Sequence, residues 1–198
     1  QRQLASTTLA ELAPVSEPLR RDDVEGNDEP SASLRGAEAS RLLERCAAWR
    51  CTPFVFLLGI MQVWLSRYTG SSAGVIAVPT SARPDSDAPL IGLCLNTLAI
   101  PFRIDDAQPF DGFLASLKKQ VADILEYRTF PFAEAVASIE SAHGDGNHPL
   151  LRYVFSYRTE SEGYGTELAG LCIESAPVRF PDHGIDISLV ATRTPDGF

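Results

Sequence analysis

The sequence predicts an α/β fold in which helices pack against a sheet. Short apolar runs rich in β-branched residues alternate with longer segments whose apolar residues recur every three or four positions. The chain carries no internal repeat. With 198 residues and an apolar content of 44%, it is long enough for one domain with a substantial core.

The first part of the chain differs from the rest. Leucines at helical spacing between residues 4 and 12 predict the end of a helix. The stretch that follows, to residue 30, is rich in proline and acidic residues and has little to bury, which is typical of an exposed connector. An acidic docking strip is the alternative. We therefore assign residues 1–32 to a helix end and an acidic linker, and residues 33–198 to a folded lobe. Gln1 is an unusual natural start, so we expect a longer parent protein.

Two helices are predicted near the start of the lobe, after a possible short strand at 32–34. Residues 37–49 show helical spacing of apolar side chains. Thr52 and Pro53 begin a second helix as N-cap and first helical residue, and Gly70 ends it. Apolar residues cover nearly its whole circumference, which predicts deep burial. Each large side chain contributes about 1.5–3 kcal/mol when buried.

The remaining elements follow in alternation. An all-apolar run at 74–79 predicts a central strand. The other predicted strands are 97–104, 151–157, 171–174 and 185–191, and the other predicted helices are 110–127 and 131–139.

The composition excludes several classes of function. A net charge of −9 argues against nucleic-acid binding, which needs clustered Lys and Arg. The longest apolar stretch, 54–65, is shorter than a bilayer requires, so we expect no membrane span and a cytoplasmic protein. The four cysteines form no C-x-x-C pair and no zinc-ligand spacing with histidine, so we expect small buried side chains in a reducing compartment.

No self-contained active site is evident. The chain has no Gly-x-Ser-x-Gly elbow, Walker loop, Rossmann fingerprint or His-Glu-x-x-His run. His143 and His148 lie in a glycine-rich loop, and His183 precedes a predicted strand without an evident catalytic partner. We therefore predict no catalytic residue, no metal and no directly bound cofactor in this chain.

Asn96 is the most informative single residue. It interrupts apolar runs between Pro89 and Arg103, although Asn is rare inside strands and an unpaired buried amide costs a few kcal/mol. Either its amide satisfies strand ends inside the fold, or it helps to hold the wall of a substrate channel. Arg103 is either a solvated strand end or an ion-pair partner across a lobe interface.

The order of several short blocks resembles the C-terminal lobe of condensation domains from nonribosomal peptide synthetases. Each block is weak alone, but all occur in the family's order, from about residue 33 to the end. The blocks are Thr52-Pro53-Phe54 with Arg67-Tyr68-Thr69-Gly70, residues 75–83, Leu90-Ile91-Gly92 with Asn96-Thr97, Phe130-Pro131-Phe132, Pro149-Leu150 with Phe155, and residues 184–189.

Several positions depart from the family pattern. Cys94 stands where the family has Phe, Pro101 where it has Arg, and Ala133 where it has Glu. Tyr127-Arg128-Thr129 replaces His-Gln-Asp. An ordinary condensation domain, a specialised relative and an inactive relative all stay open.

The resemblance implies a chloramphenicol-acetyltransferase-like lobe with a mixed sheet. In that family two lobes form a V, and an acceptor amine attacks a donor thioester in the tunnel between them. The catalytic His-His-x-x-x-Asp-Gly motif belongs to the N-terminal lobe and is absent here. The implied partners are that lobe, peptidyl and aminoacyl carrier proteins bearing 4'-phosphopantetheine, and an adjacent adenylation domain.

By this resemblance, Asn96 and Ser156 are the predicted substrate-binding residues. Asn96 is expected in the tunnel wall or its scaffold, and Ser156 lies between Phe155 and Tyr157 on an aromatic strand that either faces the tunnel or packs in the core. The alternative functions are a degenerate platform that binds a carrier protein or a tailoring enzyme, and a relative that epimerises or forms esters.

Overall fold

The computed structural model describes residues 30–83, 92–134, 152–159, 167–168, 171–172 and 185–198. Three helices and six strands fall in these ranges, and they form the mixed α/β fold that the sequence predicts. They are α1 (Ala37–Ala48), α2 (Pro53–Thr69), β1 (Ala73–Ser81), β2 (Leu95–Arg103), α3 (Phe110–Leu125), β3 (Tyr153–Thr159), β4 (Glu167–Leu168), β5 (Leu171–Cys172) and β6 (Ile187–Arg193).

The main sheet has the strand order β2-β1-β3-β6. β1 pairs antiparallel with β2 and parallel with β3, and β3 pairs parallel with β6. β4 and β5 form a separate antiparallel pair. The first six residues of β1 are buried, on both faces of the strand, which confirms its predicted central place.

Strand alternation assigns each residue of the sheet to one of two faces. On β3, Tyr153, Phe155 and Tyr157 share the face that α2 covers, since Phe54 contacts the rings of Phe155 and Tyr157 at centroid distances of 5.6 and 6.1 Å. We call this the helix face, and the other one the outer face. The register Ala77↔Val154 places odd-numbered β1 residues and even-numbered β3 residues together on the outer face.

The core lies between the helix face and helices α2 and α3. It is formed by buried side chains from both layers: Leu58, Met61, Leu65, Leu114, Leu117, Val121, Ile76, Val78, Ile100, Phe102, Tyr153 and Phe155. Gly59 lets α3 approach α2 closely, because a Cβ there would lie 2.7 Å from Leu114 Cδ2. In the sheet, the absence of a side chain at Gly74 leaves room for the ring of its cross-strand partner Phe102, which lies over it.

The predicted ends of α2 are confirmed. The Thr52 hydroxyl accepts a hydrogen bond from Val55 N at 3.3 Å, Pro53 is the first helical residue, and Gly70 adopts a left-handed φ of 72°. The predicted burial of the whole circumference is wrong. Ile60, Trp64 and Tyr68, one turn apart, are each 44–47% exposed, and the rings of Trp64 and Tyr68 stack at 5.2 Å. We call these three residues the α2 stripe.

The possible short strand at 32–34 is not a strand. Instead, Arg35 forms an isolated bridge with Gly197, and Leu34 and Phe198 exchange backbone hydrogen bonds of 2.8 and 2.9 Å. This contact joins the start of the predicted lobe to the end of the chain. The helix predicted at 131–139 is described over 132–134, and the rest of it lies outside the described residues, as does most of 1–32.

No single helix in the described part of the chain is long and apolar enough to cross a membrane; α1 and α2 pass that test together but are bent by 97°. Cys46 is buried, whereas Cys51 and Cys94 are half-buried. The expectation of buried cysteines is therefore wrong for Cys51 and Cys94.

Candidate functional site

Asn96 holds the segment that follows α3. From its half-buried place near the start of β2, its Nδ2 donates hydrogen bonds to the carbonyl oxygens of Arg128 at 2.7 Å and Phe130 at 2.6 Å. Its Oδ1 accepts a hydrogen bond from Phe132 N at 3.2 Å. Both amide protons and one acceptor site are thus used, and we call this arrangement the Asn96 clamp.

The clamp joins elements that are far apart in the chain. Residues 127–130 leave α3 through backbone turns, including Phe130 N to Tyr127 O at 2.9 Å. Pro131 has no N–H, and the next helical segment begins at Phe132, whose N–H has no partner within its own helix and donates to Asn96. Asn96 therefore fixes the path between two helices, and the polar groups that this path would leave unpaired are satisfied.

Exposed apolar side chains lie in the two chain segments that the clamp joins, with Leu95 on the outer face of the sheet and Asn96 on the helix face. Four residues, which we call the apolar rim, are between 41% and 87% exposed: Leu93, Leu95, Tyr127 and Phe130. Large apolar residues that form a contiguous exposed patch typically mark a surface that another part of a protein covers.

The two predicted site residues do not come together. Asn96 lies on the same side of β2 as Leu98, Ile100 and Phe102, because even-numbered residues of the strand share one face. It therefore belongs to the helix face. Ser156 is half-buried on the outer face of β3, in register with the exposed Val190 of β6. With β1 between β2 and β3, the pair forms no single site, and the substrate-binding role of each stays a prediction.

A charged pair at the start of two parallel strands was not predicted from the sequence. Arg152 forms an ion pair with Asp186, and Arg152 O accepts hydrogen bonds from Asp186 N and Ile187 N at 2.8 and 3.1 Å. Its guanidinium also lies 5.9 Å from the centre of the Tyr153 ring. The sequence does contain a signal for this ion pair, since oppositely charged residues stand directly before two predicted strands. The pair helps to set the β3–β6 register.

The environment of Tyr153 links this pair to α2. Burial raises the pKa of its phenol, and the Arg152 charge opposes that shift, while Asp186 and Tyr68 add to it. The neutral phenol is thus favoured where the α2 stripe meets the start of β3.

The described residues contain no group of three or more His, Cys, Asp or Glu side chains placed to hold a metal ion. His143, His148 and His183 lie outside the described residues. Arg103 is exposed at the end of β2, and its predicted interface role stays a prediction.

Comparison with known proteins places this fold. The family model described as "Condensation domain" matches residues 1–192. Surfactin synthase subunit 1 of Bacillus subtilis (strain 168) is 26% identical over 159 residues, which is 80% of this chain and 4% of that protein. The chain therefore spans a very small part of the curated relatives that it matches.

Two solved structures are similar in fold. The four-domain nonribosomal peptide synthetase holo-AB3403, bound to AMP and glycine, matches with a TM-score of 0.65 and 23% identity over 77% of this chain and 13% of that one. The teicoplanin X-domain, in its complex with OxyB, matches with a TM-score of 0.66 and 18% identity over 78% of this chain and 34% of that one. The expected chloramphenicol-acetyltransferase-like fold is confirmed. Because the family model covers nearly the whole sequence, the chain belongs to the condensation-domain family.

Proposed function

We propose that this chain is the C-terminal lobe of a nonribosomal peptide synthetase condensation domain and helps to form an amide bond between two carrier-bound substrates. The observation that carries this proposal is the family match over residues 1–192, in a chain without the His-His-x-x-x-Asp-Gly motif. In this proposal, the N-terminal lobe of the same condensation domain supplies that motif. The match to the X-domain chain covers 34% of that chain, so this chain corresponds to a part of it.

The proposed reaction needs positioning more than new functional groups from this lobe. The acceptor amine attacks the donor thioester carbonyl, a C–N bond forms, the C–S bond breaks, and the carrier's thiol leaves with the amine proton. Holding both reactants in line and excluding water supplies much of the rate enhancement in such a step. 4'-Phosphopantetheine arrives on the carriers as part of the substrate, and the adenylation domain supplies activated monomers.

In this proposal the Asn96 clamp is scaffold for the wall. Its amide protons are already committed to Arg128 O and Phe130 O, so it shapes the 127–132 path rather than contacting substrate through them. The apolar rim is the surface that the N-terminal lobe covers, because burying it removes exposed Leu93 and Tyr127 from water. We place the assembly in the cytoplasm.

The test is intact-mass analysis of the chain extended upstream by about one lobe, roughly 150–200 residues on the usual domain size. It is mixed with donor-loaded and acceptor-loaded carriers. We expect the donor acyl group to move to the acceptor carrier only in the mixture that contains the extended chain. The unextended chain and an extended chain with the upstream motif changed to alanine are the controls. A folded, carrier-binding extended chain that transfers nothing would contradict the proposal.

A second candidate is a recruitment platform without turnover. Its support is the fold likeness to the X-domain that forms a complex with OxyB, together with the exposed α2 stripe. Aromatic residues such as Trp64 and Tyr68 are enriched at protein interfaces. Saturable binding of a carrier or tailoring enzyme that Trp64→Ala weakens, with no transfer, would favour this function over condensation. Chiral analysis of the product distinguishes an epimerising relative from a condensing one. Formation of an ester instead of an amide identifies an ester-forming relative.

A further inference from the structure

The corner between α1 and α2 brings two cysteines together. α1 ends with Arg50 N donating to Ala47 O at 3.1 Å and Cys51 N donating to Cys46 O at 2.9 Å. Arg50 takes a left-handed φ of 51°, where glycine is the usual residue. These two bonds and the left-handed residue define a Schellman motif.

The motif determines which side chains meet. In a Schellman motif, the residue three positions before the cap contacts the residue two positions after it. Here these residues are Cys46 and Cys51, and the backbone N–H of Cys51 donates to the carbonyl oxygen of Cys46 at 2.9 Å. The spacing C-x4-C is not a known redox motif. The pairing of these two residues follows from the backbone geometry of the helix end.

Neighbouring elements hold this corner rigidly. Lys118 Nζ of α3 donates to Arg50 O at 2.7 Å. Trp49 packs on Phe56 and Phe110 at centroid distances of 5.9 and 5.8 Å. Thr52 caps α2 directly after Cys51. These contacts fix the backbone that carries Cys46 and Cys51, so little further ordering of the chain is needed for their side chains to react with each other.

The two thiols differ in access. Cys46 is buried, and Cys51 is half-buried. Burial, followed by the neighbouring Cys51, raises the pKa of the Cys46 thiol to about 11. Cys46 is therefore protonated near neutral pH, and Cys51 is the thiol that reagents from solvent meet first.

We propose that Cys46 and Cys51 are a thiol–disulfide exchange site that closes to an intramolecular disulfide with a small-molecule disulfide such as oxidised glutathione. The Cys51 thiolate attacks one sulfur of the reagent, which forms a mixed disulfide and releases one glutathione thiol. The Cys46 thiolate, after losing its proton to water, attacks the Cys51 sulfur and releases the second glutathione thiol. The protein dithiol is oxidised by two electrons, and the reagent is reduced to two thiols.

Closure has two measurable consequences. The disulfide ties the end of α1 to the start of α2 and restricts the unfolded chain, so Tm should rise by about 4–8 °C. Since the second step uses the Cys46 thiolate, its rate should increase about tenfold for each pH unit between pH 7 and 9.

Peptide mapping tests the proposal directly in the full chain. Trypsin cuts after Arg45, Arg50 and Arg67, so the two cysteines fall in separate peptides, 46–50 and 51–67. After treatment with oxidised glutathione, we expect these peptides to be joined and lighter by two hydrogens than their sum. The unsubstituted chain and a Cys94→Ser, Cys172→Ser variant are mapped in parallel, with circular dichroism to establish folding.

Matched variants separate the steps. In Cys46→Ser, the glutathione adduct on Cys51 should persist, whereas in Cys51→Ser the buried Cys46 should stay unmodified. A folded chain whose adduct at Cys51 never resolves, or whose disulfides join Cys94 or Cys172 instead, would overturn the proposal.

Discussion

The core beneath α2 and α3 and the Asn96 clamp are built on different principles. The core is a contiguous set of apolar side chains, with Leu58 and Phe155 fully buried. The clamp is one half-buried amide with three hydrogen bonds, and the exposed apolar rim belongs to the two segments that it joins. Packing therefore determines whether the lobe folds, while hydrogen bonding determines the shape of its edge. The following predictions separate these two contributions.

The largest effect is expected in the core. Leu58→Ala should lower the free energy of unfolding by about 2–5 kcal/mol, because Leu58 has no exposed surface and its truncation leaves a cavity. Ile60→Ala on the same helix is the matched control and should cost about 1 kcal/mol or less, since Ile60 is already exposed. Denaturant unfolding measures both. Equal losses would show that the α2 stripe is buried in the folded chain.

The next largest effect concerns the sheet. Gly74→Ala should destabilise the lobe by about 1–3 kcal/mol, because a Cβ would lie 2.6 Å from the Phe102 ring. Phe102→Leu should lower the free energy of unfolding less in the Gly74→Ala variant than in the parent chain, because it removes the ring that the new Cβ would contact. Gly112→Ala in α3 is the control. Its Cβ meets nothing closer than 3.7 Å, so the better helix propensity of alanine should stabilise the chain by about 0.5–1 kcal/mol. Thermal unfolding of the four variants gives the comparison.

Removal of the clamp should have a smaller and more local effect. Asn96→Ala should lower the free energy of unfolding by about 1–3 kcal/mol, toward the low end since water reaches the freed groups. Hydrogen exchange of the Phe132 amide should accelerate, while amides of β1 keep the protection of the parent core. If β1 amides lose protection to the same extent as Phe132, the clamp belongs to the core and the comparison fails.

A charge change at the same residue sharpens this result. Asn96→Asp keeps an acceptor for Phe132 N but places a carboxylate against the Arg128 and Phe130 carbonyl oxygens. That repulsion raises the pKa of the new carboxyl in the folded state. Its protonated form is then favoured on folding, so the contribution of this carboxyl to stability, relative to Asn96→Ala, should be complete below about pH 4 and be lost as pH rises. A pH series of unfolding curves, with Asn96→Ala as reference, tests the sign.

The last prediction concerns Cys46 and is confined to alkaline pH. Burial raises the pKa of its thiol from 9.0 to about 11, so the folded state favours the protonated form. The resulting contribution is complete below pH 9 and is lost as pH rises toward 11. Under reducing conditions, Cys46→Ala should flatten the fall in stability between pH 8 and 10.5, and Cys94→Ala is the control. Identical slopes for Cys46→Ala and the parent would contradict this assignment.

Local sequence rules predicted the elements well where one residue determines the outcome. Thr52, Pro53 and Gly70 mark the ends of α2 because capping, a fixed φ and a left-handed φ are properties of those residues. The same rules predicted the end of α1 to within one residue, but not that Arg50 takes a conformation usually given to glycine. The bonds of the Schellman motif and the contact from Lys118 stabilise that conformation, and Lys118 is 68 residues away in sequence.

The candidate site shows the limit of such rules. The composition and order of motifs were enough to predict the α/β class, the condensation-domain family and the importance of Asn96. Its hydrogen-bond partners lie 32–36 residues away, so the tertiary structure alone reveals what the amide does. Likewise, period-two alternation assigns Asn96 and Ser156 to faces within their own strands. The register between β1 and β3 places those faces on opposite sides of the sheet, because pairing between distant strands depends on packing that no local pattern encodes.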